Sequence, residues 1–91
     1  MLKIIYGSQF KKDFKRIKKQ GLRIEKLQKV IQTLASGKEL SPKYHDHPLI
    51  GNYHGFRELH IEPNWLLIYK IDEDRLILAL SRTGSHSALF D

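Results

Sequence analysis

The chain contains no cysteine, which removes disulfides, thiolate metal sites and a cysteine nucleophile together. No apolar run approaches the roughly 18 residues that a membrane-crossing helix needs. Met1–Tyr6 is too short, and too soon interrupted by Lys3, to read as a secretory signal. Acids are scarce in the first half. Residues 1–43 hold 12 Lys/Arg against Asp13, Glu25 and Glu39, a surplus of nine, whereas residues 44–91 hold four against seven acids. So uneven a distribution points to a polyanionic partner, nucleic acid foremost. With 91 residues, one modest core is possible and two are not. A single domain over residues 1–91, soluble and cytoplasmic, is the expectation.

The pattern reads as a strand, two helices and three further strands. Leu2–Tyr6 is short, β-branched and aromatic, and Gly7 bounds it. Ser8 is an expected N-cap, and Phe10, Phe14 and Ile17 form one helical stripe. Gly21 sits where a helix ends. Ile24, Leu27, Ile31 and Leu34 mark a second helix, closed by Gly37. Lys11, Lys12, Lys15, Lys18 and Lys19 lie on the outside of this hairpin and are candidates to contact nucleic-acid phosphates. Residues 38–55 form a polar connector. Phe56–Glu62, Trp65–Ile71 and Arg75–Arg82 then alternate as three antiparallel strands joined by tight turns. The expected class is α+β in two layers, with the helices on one face of the sheet and the other face open. A short helical turn is expected at the C-terminus.

On that open face His60 is out of phase with Leu59 and Ile61 of its own strand. His47 lies in the connector, and His86 follows the last strand together with Arg82 and Phe90. Histidines and arginine without cysteine or paired carboxylates suit metal-free phosphodiester cleavage. One group takes the proton of a 2′-hydroxyl, another protonates the leaving 5′-oxygen, and arginine stabilises the phosphorane. His45-x-His47 with Asp46 is the alternative metal reading, but no helix carries an i, i+4 histidine pair to complete it. No metal or other cofactor is expected. A serine nucleophile at Ser85 or Ser87 lacks the G-x-S-x-G elbow.

Three successions of residues resemble a known family. They are His47-Pro48-Leu49-x-Gly51, Gly55-Phe56-Arg57-Glu58-x-His60-Ile61-Glu62-Pro63-Asn64-Trp65, and Arg82-Thr83-Gly84-Ser85-His86-Ser87-x-Leu89-Phe90. Together they look like the YafQ branch of the RelE/ParE toxin superfamily. The resemblance implies an mRNA interferase of a type II toxin–antitoxin pair, cutting mRNA in the ribosomal A site. It implies His86 as main acid/base group, Arg82 as phosphate-binding arginine, and His47 and His60 as further catalytic histidines. Trp65 and Phe90 become substrate-binding aromatics, and the basic hairpin faces rRNA. It also implies a cognate antitoxin, through which the complex binds its operator DNA. Asn64 is counted with Trp65 and Phe90 as substrate-binding, although it departs from the family pattern, where aspartate usually precedes the tryptophan. The alternatives are a non-catalytic RNA-binding protein or a ParE-like inhibitor of DNA gyrase, although ParE-like relatives lack the histidine set.

Overall fold

The computed structural model describes residues 1–90. Strand β1 (Lys3–Tyr6) leads into helices α1 (Ser8–Lys19) and α2 (Ile24–Ala35). The connector follows, with short 3-10 turns at Pro42–Tyr44 and Gly51–Tyr53 on either side of a two-residue strand, β2 (His47–Pro48). Strands β3 (Arg57–Glu62), β4 (Trp65–Asp72) and β5 (Ile77–Gly84) precede a final helix, α3 (His86–Phe90). The expected α+β architecture is present.

The sheet order is β1-β5-β4-β3-β2. β1 lies parallel to β5, and the remaining pairs are antiparallel. The α1–α2 hairpin is therefore the crossover that carries the chain from an edge strand back to the sheet. Its apolar stripe, Phe10, Ile17, Leu27, Val30, Ile31 and Leu34, packs with Leu59, Ile61, Leu67, Tyr69, Leu78 and Leu80 in the main core. Lys11, Lys12, Lys15, Lys18 and Lys19 are exposed, as their place on the helix requires.

Two expectations are corrected. Ser8 does not cap α1. Gly7 is the N-cap residue, and no side chain satisfies that helix end. Gly7 is fixed instead by its N–H bonding Leu80 O at 3.0 Å, and a Cβ there would come within 2.9 Å of that oxygen. Nor is the second face of the sheet fully open. Leu66 and Ile68 are buried on it beneath Leu89 of α3 and Leu49, Tyr53 and Phe56 of the connector. His60 and Arg82 stay partly exposed on that side.

Candidate functional site

The strand register lays the chemistry out in rows. His60 pairs Leu66, which pairs Gly84, two residues before His86. Glu58 pairs Ile68, which pairs Arg82. Side chains opposite one another share a face, so Glu58, His60 and Arg82 belong to the face of Leu66 and Ile68. Two strand spacings put β3 and β5 about 10 Å apart, the scale of a nucleotide. The backbone register slips between Ile68 and Tyr69, leaving Ser81 without a partner. Such a bulge re-aims the residue that follows it, here Arg82.

At the β2–β3 end, His47 Nε2 lies 2.9 Å from Glu58 Oε2, and His60 Nε2 lies 4.0 Å from the same oxygen. The other ring nitrogen of each histidine meets a backbone carbonyl, Pro48 O at 3.1 Å and Pro63 O at 3.3 Å. A carbonyl only accepts, so in the Nδ1–H tautomer each ring donates to its carbonyl and presents the Nε2 atom toward the carboxylate. At 2.9 Å the His47 Nε2–Glu58 Oε2 contact is within hydrogen-bond reach, so the two groups can pass a proton between them. Glu58 Oε1 is buried with no hydrogen-bond partner. An orphaned carboxylate oxygen beside two fixed imidazoles is poised to accept a proton or bind a cation.

Those three residues are also where a metal would fit among the described residues. Their donor atoms lie within 4.8 Å of one another, and two imidazoles with a carboxylate suit zinc or copper. The sequence motif pointed to a different set. Asp46 is drawn away, its Oδ1 accepting from Tyr69 Oη at 2.7 Å and Arg57 Nε at 3.2 Å. His45 stands edge-on to the His60 ring, with centroids 6.1 Å apart.

At the β5 end the fixed cation is Arg82, with a side chain only 19 % exposed. Its Nε and Nη2 donate to Asp13 at 2.7 and 3.2 Å. These bonds hold the guanidinium above its ordinary pKa against the opposing effect of burial. Beyond Leu80, β1 offers β5 no partner, and Asp13 Oδ2 takes the free Thr83 N–H at 3.1 Å. The Thr83 hydroxyl accepts from Trp65 Nε1 at 3.0 Å and donates to Leu66 O at 2.8 Å. Trp65 itself is 2 % exposed. It is a core residue that braces the strand carrying Arg82, and its ring presents no stacking face.

Helix α3 places His86 at the surface, its backbone N–H donating to Asn64 Oδ1 at 3.3 Å. One turn on, the Phe90 ring lies 4.8 Å from the His86 ring, centroid to centroid, and 5.7 Å from that of Tyr53. Tyr53 in turn meets Phe56 edge-on at 6.2 Å. An aromatic ledge thus borders Arg82 and His86, of a kind on which bases stack. His47 and His60 form one group, and Arg82, His86 and Phe90 another. The sheet holds the two groups on one face. Sequence reasoning missed Glu58, Asp13 and Tyr53. Glu58 was recoverable, because it alternates in phase with His60.

Across residues 2–91 the sequence matches the family described as bacterial toxin of type II toxin-antitoxin system, YafQ. It is 40% identical over 88 residues to the mRNA interferase toxin YafQ of Escherichia coli K12, spanning 96% of this chain and 94% of that protein. A metal-bound toxin from Helicobacter pylori superposes with a TM-score of 0.93 at 46% identity, covering 99% and 100% of the two chains. YafQ within the E. coli DinJ–YafQ complex superposes with a TM-score of 0.91 at 38% identity over the full length of both. By sequence along its whole length and by fold, the chain belongs to the YafQ family of bacterial type II toxin–antitoxin toxins.

Proposed function

We propose that this chain is an mRNA interferase, a toxin that cleaves mRNA in the ribosomal A site by acid/base catalysis without a metal in the chemical step. The observation that carries the reading is the His47–Glu58 pair at 2.9 Å, held two strands across from Arg82 on one face. In this mechanism the His47–Glu58–His60 group accepts the proton of the 2′-hydroxyl. His86 delivers a proton to the leaving 5′-oxygen, and Arg82 stabilises the charge that builds on phosphorus. Phe90 and Tyr53 supply a stacking surface for a flanking base, and Asn64 positions His86. A likeness to a protein named mRNA interferase supports the reaction class.

Partners follow from the surface. The exposed lysines of α1 give this molecule a polycationic side for rRNA. Beside them runs an apolar groove of about 770 Å³ between β1, α1 and α2, lined by Ile4, Phe10, Phe14 and Ile31 and rimmed by Lys11, Lys15 and Lys18. An acidic amphipathic segment of an antitoxin fits that combination. Its likeness to YafQ in the DinJ–YafQ complex supports such a partner. The test is to add the purified protein to a reconstituted translation system and map mRNA 5′ ends. Cuts at codons in the A site, absent without ribosomes and absent with His86→Gln, are expected. Unbroken mRNA together with inhibited DNA gyrase would move the protein to the ParE-like reading, and ribosome binding without cuts to a non-catalytic one.

A further inference from the structure

Asp13 is the single acid of α1, among six lysines and arginines, and it is 0 % exposed. Its carboxylate is saturated. Oδ2 accepts from Arg82 Nε and the Thr83 amide, and Oδ1 from Arg82 Nη2 and, at 3.1 Å, from Arg16 Nη2. Two guanidiniums on one carboxylate leave one net positive charge. That surplus matters, because an Asp13–Arg82 pair alone would be neutral and would attract a phosphodiester weakly. Arg82 spends two of its five N–H groups on Asp13 and Arg16 one, so both keep free donors.

Arg16 is well placed to use them. Its side chain is 41 % exposed, against 19 % for Arg82. Its Nη2 stands 3.0 Å from where a Cβ on Gly84 would lie, over the end of β5 and two residues before His86. Gly84 has φ +149, a backbone state that favours glycine, and its missing side chain is the space the guanidinium occupies.

We propose that Arg16 is a second phosphate-binding residue, and that buried Asp13 positions Arg16 and Arg82 as a two-arginine clamp for an RNA phosphodiester. The inference rests on the ribonuclease reading for the identity of the ligand, though not for the existence of the anion site. One arginine, mostly buried, sets the position of the phosphate beside His86. The other, half exposed, reaches it from the basic helix and links ribosome-facing α1 to the cleavage site. Each guanidinium offers paired, planar donors that match phosphate oxygens.

The test uses inorganic phosphate first, so that it stands apart from nuclease activity. The side-chain Nε–H resonances of Arg16 and Arg82 should shift with phosphate along one shared isotherm. In Arg16→Ala the Arg82 shift should require more phosphate. A shift at Arg82 alone, or at neither arginine, overturns the clamp. In the ribosome assay Arg16→Ala should lower kcat/KM roughly ten- to a hundredfold, the loss of a charged hydrogen bond. Arg16→Lys should fall between, and the thermal midpoint of both should match the parent. Undiminished cleavage by Arg16→Ala overturns the inference. A parent protein that cuts no mRNA overturns the ribonuclease reading alone, and leaves the phosphate titration to decide the clamp.

Discussion

Asn64 Oδ1 accepts the backbone N–H of His86 at 3.3 Å, so the β3–β4 turn fixes the start of the helix that carries the C-terminal histidine. An aspartate there would accept the same bond and add a charge, so either residue can make the tether. Asn64→Ala should lower single-turnover cleavage roughly two- to tenfold, the equivalent of one neutral hydrogen bond. Asn64→Asp should cleave at least as well as the parent. If Asn64→Asp cleaves less than Asn64→Ala, the tether is not what this position contributes.

How much of this was legible depends on the range of each interaction. The helices were readable because Phe10, Phe14, Ile17 and Leu27, Ile31, Leu34 repeat locally at the helical period, and the strands because alternation and tight turns are local too. The N-cap was misread because the residue that matters, Gly7, is chosen by its close approach to Leu80 O far along the chain. The place of β1 beside β5 has the same long-range origin, as does the Asp13–Arg82 pair, 69 residues apart in sequence. Histidine and arginine could be picked out by type alone. Asp13 could not, since it looks like any other acid until the fold buries it, whereas Glu58 is marked by its phase with His60 on the same strand. Trp65 shows the converse: an aromatic at a motif position is turned inward by the strand that bears it.

The basic helix makes a prediction about salt. If Lys11, Lys12, Lys15, Lys18 and Lys19 meet rRNA phosphates, replacing several with Glu should weaken ribosome binding and flatten its dependence on salt. Every phosphate no longer neutralised should take roughly 0.9 off the log–log slope if duplex behaviour transfers. An unchanged slope would assign these lysines to solvation.

The His47–Glu58–His60 group makes a prediction about metals. Protein stripped with EDTA should cleave at the parental rate, because the proposed proton transfers use the three side chains themselves. Added zinc or copper should inhibit, by occupying the Nε2 atoms that must exchange protons. His47→Gln should bind the ion more weakly by calorimetry. Activity that disappears with EDTA and returns with zinc would place a metal in the reaction.

Tyr69 predicts how stability responds to alkali. Burial, then the bond to the Asp46 carboxylate, raises its phenol well above the ordinary 10.0. The folded state therefore holds the proton to higher pH than the unfolded chain does. Stability from this group is complete below about pH 10 and is lost as pH climbs toward the folded value. Tyr69→Phe should cost about 0.5–1.5 kcal/mol at neutral pH for the missing hydrogen bond. It should also flatten the fall in stability above pH 10. A parallel fall in both proteins would trace the alkaline transition to other groups.

The C-terminal group separates chemistry from binding. If His86 transfers a proton, His86→Gln keeps size and polarity yet should slow single-turnover cleavage by roughly 10²–10⁴-fold. Ribosome affinity should barely move, because the imidazole acts on the transition state and little on the ground state. Arg82→Lys should also be costly. An ammonium cannot bond Asp13 through Nε and Nη2 while offering a planar pair of donors to phosphate. Phe90→Ala should act through RNA positioning, at about 1–3 kcal/mol for one stacked base, and should raise KM as well as lower kcat. His86 and Phe90 are at the surface, so the unfolding midpoints of those two variants should match the parent. Near-parental cleavage by His86→Gln would transfer the acid role to the His47–Glu58–His60 group, and near-parental cleavage after loss of either group would refute proton transfer as the mechanism.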